Sequence, residues 1–164
     1  MMRIHNQYRV LSLSVLILLP FLWQVTPGQK KNYNKTIVEY CDLVKNPEIF
    51  DGKEVTVRAT YRYGFEWSEM YCIECRKLGK TWLEKGYLTK NAERVFKKLP
   101  KDDGTVNAVF TGTFESSKGP FGDGGYRFRF LLKSLDNVDL VSKSGADPEQ
   151  LSDKERSKVS RQCL

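Results

Sequence analysis

Across residues 55–63 the chain alternates: Val55, Val57, Ala59, Tyr61 and Tyr63 are apolar or aromatic, and Thr56, Arg58, Thr60 and Arg62 stand between them. A period of two sends successive side chains to opposite faces, which predicts a half-buried strand. The pattern returns twice. Val106, Ala108, Phe110 and Phe114 predict a strand over 105–115, after the turn signal Asp103-Gly104. Tyr126, Phe128, Phe130 and Leu132 alternate with Arg127, Arg129 and Leu131, and continue through Leu135, Val138 and Leu140. Two shorter strands are expected at 67–73 and 81–84, joined by a turn over 75–80.

Helical spacing occurs in two places. Thr36 with Glu39 three residues on reads as a capping box, and Ile37, Cys41 and Val44 share one face, so a leading helix is expected over 36–45. Asn46-Pro47 ends it, because a residue before proline is pushed out of helical geometry. Ala92, Val95, Phe96 and Leu99 predict a second helix over 89–99, closed by Lys97, Lys98 and Pro100.

Three strands, a helix and two strands is the order of a small Greek-key barrel, the OB-fold. The expected fold is therefore mainly β with two helices, an OB-fold-like five-stranded Greek-key barrel with an extra N-terminal helix. The stretch CDLVKNPEIFDGKEVTVRATYRY, residues 41–63, resembles the entry into the first strand of small exported bacterial OB-fold proteins, similar in style to the tRNA-anti-like group. The resemblance spans about 36–141 and implies no catalytic residue.

Ahead of this domain, Arg3 and Arg9 precede an apolar run over 10–25, and Thr26 and Gly28 are small. These are the parts of an export signal, expected over 1–28 and cleaved after Gly28. An uncleaved membrane anchor is the alternative, but the run is short of the 20 or so apolar residues a span requires. A polar start is expected at 29–35, the domain at 36–141, and a polar, flexible tail at 142–164. Without 1–28, 25 basic residues face 20 acidic ones, a mild excess with no block of like charge. The single histidine, His5, lies in the expected signal, so a mature chain would lack the commonest general base and metal ligand near neutral pH.

An exported chain with Cys41, Cys72, Cys75 and Cys163 is expected to carry disulfides. Cys72-Ile73-Glu74-Cys75 is the sharpest local pattern and has three readings: a redox dithiol, part of a zinc site, or two separate disulfide partners. A redox dithiol wants a helix N-terminus, and this pair falls between expected strands. Positions three apart in an extended strand lie roughly 10 Å apart, too far to be bridged. The disulfide candidates are therefore Cys41 with Cys72 or Cys75.

Phe65, Trp67, Tyr71 and Trp82 fall on or beside the second and third strands, where they either fill the core or stack on a ligand. Arg58, Arg62, Arg127 and Arg129 either form one basic stripe or are ordinary solvated charges. The glycine-rich run 119–125 lacks the Lys-Ser/Thr ending of a phosphate loop and reads as a hairpin loop. Glu66, Glu69, Glu74 and Glu84 have no partner base, so they receive no catalytic role. The expectation is an exported, soluble, non-catalytic binding module without cofactor or metal, its partner a protein, oligosaccharide or polyanion and not cytosolic nucleic acid. The alternative is a thiol-disulfide redox protein using Cys72 and Cys75.

Overall fold

A computed structural model describes residues 36–160. The expected export signal, the polar start at 29–35 and Cys163 lie outside the described residues. The strands are β1 (Ile37–Glu39), β2 (Glu54–Tyr63), β3 (Ser68–Tyr71), β4 (Thr81–Lys85), β5 (Gly104–Glu115) and β6 (Phe128–Ser142). The α-helices are α1 (Tyr40–Lys45), α2 (Pro47–Phe50), α3 (Lys90–Phe96) and α4 (Asp153–Ser160), with 3-10 segments at Ile73–Leu78 and Pro148–Gln150. No helix among the described residues is long and apolar enough to cross a membrane.

The expected five-stranded OB-fold-like barrel with two helices is corrected. The sheet has six strands in the order β1-β2-β3-β4-β6-β5, with β5 also pairing β2, and the described residues hold four α-helices besides the 3-10 segments. β1 and β2 run parallel, as do β4 and β6, while the other ladders are antiparallel.

The extra strand comes from the expected leading helix. Ile37 and Val38 are β-branched and extend beside Thr56 and Val57, on the part of β2 that β3 does not reach. The capping box does not form, since Glu39 precedes α1 without a side-chain cap. The helix expected over 89–99 is present in shorter form as α3, which ends at Phe96, and the Thr89 hydroxyl accepts from the Ala92 N–H at 3.3 Å.

One core fills the sheet interior with Val57, Ala59, Phe110, Phe114, Phe128, Phe130 and Leu132, all fully buried, and α1 and α3 close over it through Tyr40, Leu43 and Ala92. The Tyr40 hydroxyl donates to the Met70 carbonyl at 2.9 Å and shares a 2.8 Å hydrogen bond with Thr81 Oγ1, so its burial leaves no polar atom stranded. Burial then holds the phenol's pKa well above its ordinary value.

The stretch 142–160, expected as part of a polar tail, is instead built onto the sheet. Leu151 and Val159 are buried with Tyr71 and Val141 in a second cluster. The Lys158 carbonyl accepts from Asn107 Nδ2 at 3.3 Å, and Asn107 Oδ1 accepts from Thr60 Oγ1 at 2.8 Å. Packing of this segment buries Thr60 and Asn107, on the face of β2 and β5 that the alternation assigned to solvent.

Candidate functional site

Cys41 sits on α1, and Cys72 and Cys75 flank the first turn of the 3-10 segment Ile73–Leu78. A turn replaces the extended geometry in which residues three apart diverge, so Cys75 comes back beside Cys72. The Sγ atoms of Cys41, Cys72 and Cys75 lie within 4.8 Å of one another. Cys41 and Cys75 form a disulfide with Cα atoms 5.6 Å apart, which decides between the two expected pairings. Cys72 is disulfide-bonded as well, and no described cysteine is free. Cys72 and Cys75 are buried at 0% and 5% exposure, a poor position for a reactive thiol. The three sulfurs would form a soft metal site only as thiolates, and as disulfides they have no thiolate to offer.

A second constellation runs across the strands. Arg62 on β2 is opposite Glu69 on β3, Glu69 opposite Trp82 on β4, Trp82 opposite Arg129 on β6, and Arg129 opposite Glu115 on β5. Directly paired positions share a face, so these five side chains form one band. Arg62 Nη1 donates to Glu69 Oε1 at 3.1 Å, and Lys80 Nζ lies 3.0 Å from Glu69 Oε2. Glu69 is 1% exposed, and two cations at a buried carboxylate offset the cost of taking it from water. At the other end Arg129 grips Glu115 through Nε and Nη2 at 2.9 and 2.6 Å, and reaches Glu84 at 3.1 Å.

Trp82, half-buried, occupies the centre of the band, its ring centroid 5.1 Å from that of Tyr126. Gly122, at φ 63°, brings the glycine-rich loop over the indole, and a Cβ there would stand 3.0 Å from Trp82 Cδ2. Burial raises the Tyr126 pKa to about 12, with the negative charge of Glu69 the next cause.

The remaining sequence candidates disperse. Phe65 is 98% exposed at the β2–β3 connection, whereas Tyr71 is fully buried beneath the C-terminal segment. Trp67 lies under Arg62, whose guanidinium carbon is 4.3 Å from the ring centroid. The four arginines do not form one stripe, because β5 separates β2 from β6. Arg58 faces Val109 and Glu39 across its ladders, and Arg127 is exposed over the Phe128 ring. Arg62 and Arg129 are neutralised by carboxylates.

Sequence reasoning gave Glu69 no catalytic role, read Tyr126 only as part of a strand pattern, and passed over Lys80 and the clasp made by Arg76 and Asp147. Arg76 donates to both Asp147 oxygens at 2.9 and 2.5 Å, and this pairing first, with the Glu149 N–H, lowers the Asp147 pKa to about 2. Arg62 Nε donates to the Gly145 carbonyl at 2.6 Å, so the band and the C-terminal segment are fastened together. Period-two spacing marks Glu69 as sharing a face with Tyr71, but cross-strand register is needed to see its partners.

Fold and site together define a disulfide-bearing domain of mixed sheet and short helices, with a charge-paired aromatic band on its outer face. No family model matches the chain, and no curated protein matches it. Among solved structures, it is similar to a Leishmania major Friedlin chain assigned as an aspartyl-tRNA synthetase, at 13% identity and a TM-score of 0.34. The match covers 74% of this chain and 24% of that one. So remote a likeness identifies no exported bacterial family and carries no argument about activity.

Proposed function

We propose that this chain is an exported, non-catalytic binding module that holds a neutral polar ring, such as a sugar unit of an oligosaccharide, against Trp82. The observation behind this reading is the band Arg62–Glu69–Trp82–Arg129–Glu115, in which an indole is flanked by ion-paired groups on both sides. An indole face takes a ring by apolar contact, and the accessible Arg129 and Glu84 beside it exchange hydrogen bonds with hydroxyl groups. A polyanion would need unpaired cations, and Arg62 and Arg129 are already spent on Glu69, Glu115 and Glu84. The apolar run at 10–25 and the disulfides support export.

Titration of the tryptophan emission of the full chain with cellohexaose and chitohexaose tests the reading, with a mixed-sequence oligonucleotide as the third arm. Binding of a hexasaccharide should weaken roughly tenfold or more in Trp82→Ala, as for a central aromatic anchor. Saccharide binding unaffected by that change, or binding of the oligonucleotide alone with steep salt dependence, would sink it.

A second reading, thiol-disulfide exchange, is favoured by the three sulfurs within 4.8 Å of one another. It requires the buried Cys72 and Cys75 to become accessible on reduction. Insulin-reduction activity that disappears in Cys72→Ser would favour it over the binding module.

A further inference from the structure

We infer that a second ligand site lies where α3 closes the end of the sheet, and that it takes a small anion carrying a flat ring, such as an aryl phosphate or aryl carboxylate. The site is a cavity of about 320 Å³, at the lower end of the size that encloses a small molecule. It is distinct from the Trp82 band. Trp82 and Lys85 are an odd number of residues apart on β4, and so point to opposite faces.

Its floor is aromatic. Tyr61 and Tyr63 stack with ring centroids 5.3 Å apart, and Phe96 meets Tyr61 edge-on at 6.5 Å. Tyr61 is anchored in the core by a 3.1 Å hydrogen bond between its hydroxyl and Ser68 Oγ, which fixes the plane of the stack. Leu99 and Pro100, just past α3, complete an apolar wall. Three rings held by core packing offer a slot for a fourth flat one.

Its rim is cationic. Lys85, Lys97 and Lys101 line the cavity, and none of its lining residues is acidic. Among the described residues these lysines make no ion pair, in contrast to Arg62, Arg76 and Arg129. Lys85 Nζ instead sits 4.6 Å from the Phe96 ring centroid, which places one ammonium at the edge of the aromatic floor. Lys97 is the C-cap of α3, so the helix sets its position. On the sheet, Arg62, Arg129 and Lys133 are each matched with a carboxylate. At this cavity the cations are left for a ligand's negative charge.

Calorimetric titration of the full chain with phenyl phosphate, inorganic phosphate and phenol separates the contributions. Phenyl phosphate should bind, while inorganic phosphate and phenol should each bind at least about fivefold more weakly, because each lacks one of the two complementary parts. Lys97→Gln and Lys101→Gln should each weaken phenyl phosphate about fivefold, on the scale of one charge pair about 4 Å apart in water. Phe96→Leu, whose folding is checked by its thermal transition, should weaken it too. Trp82→Ala should leave it unchanged, so failure here is separable from failure of the saccharide reading. The inference is overturned if phenyl phosphate binds no tighter than about 1 mM. It is overturned equally if inorganic phosphate binds as well as phenyl phosphate, or if replacing all three lysines has no effect.

Discussion

Replacing both Cys41 and Cys75 with serine removes one crosslink and leaves no unpaired thiol behind to attack the disulfide at Cys72. The bond spans a sequence separation of 34 residues. In the chain-entropy description, closing a loop of that size takes away unfolded-state freedom worth about 3.8 kcal/mol at room temperature. For the 125 described residues, a loss of 1 kcal/mol lowers the melting temperature by roughly 4 °C, so the double variant should melt about 15 °C below the parent. Thermal and urea unfolding without reductant measure both quantities. The urea dependence should steepen, because the freed chain exposes more surface on unfolding. A loss smaller than about 1 kcal/mol would refute the argument, by showing that the bond does not restrict the unfolded chain. If the variant stays folded at moderate temperature and still binds at Trp82, the cysteines act as staples. Loss of function in a folded variant would turn attention to their chemistry.

Asp147 is held at about 2, first by its hydrogen bonds to Arg76, so the folded pKa lies below the unfolded value near 3.9. The stability it contributes is therefore present above about pH 4 and lost as pH falls towards 2, by about 1 kcal/mol once solvent screening is allowed for. Asp147→Asn should flatten that part of a urea-stability profile without abolishing the slope, since Asp51, held at about 2 by the Ser116 N–H, titrates in the same window. An unchanged profile would exclude the clasp as its source. Gly122→Ala must accommodate a side chain at φ 63° and 3.0 Å from the Trp82 ring, so it should cost about 1 to 3 kcal/mol and shift the indole emission. An emission spectrum identical to the parent's would contradict the contact.

The strands were readable wherever one face was buried and the other polar. The alternation over 55–63 became β2, and 105–115 became β5 with one added residue. α3 was readable because its cap and its stop are both local. What escaped depends on partners far along the chain. Ile37 follows a helical spacing, yet it extends with Val38 because an edge of β2 is open to them. The segment after Ser142 has little apolar periodicity because Leu151 and Val159 anchor it almost alone, with Arg76 and Arg62 supplying polar fastenings. At the site, Trp82 was legible as an aromatic on or beside the third strand, but its pairing with Glu69 and Arg129 is a fact of register. Choosing between the two readings of the arginines depends on register as well. Spacing along a strand says which face a guanidinium shares, and only the neighbouring strand says which carboxylate meets it.

The Cys41–Cys75 bond also has a topological result. Cys41 precedes β2 and Cys75 follows β3, so the covalent ring encloses that whole hairpin, whose connection carries Phe65 at 98% exposure. A protease cutting beside Phe65 would open the backbone without releasing either piece. The nicked molecule would run as a single band on a non-reducing gel and separate into two fragments only when reductant is added.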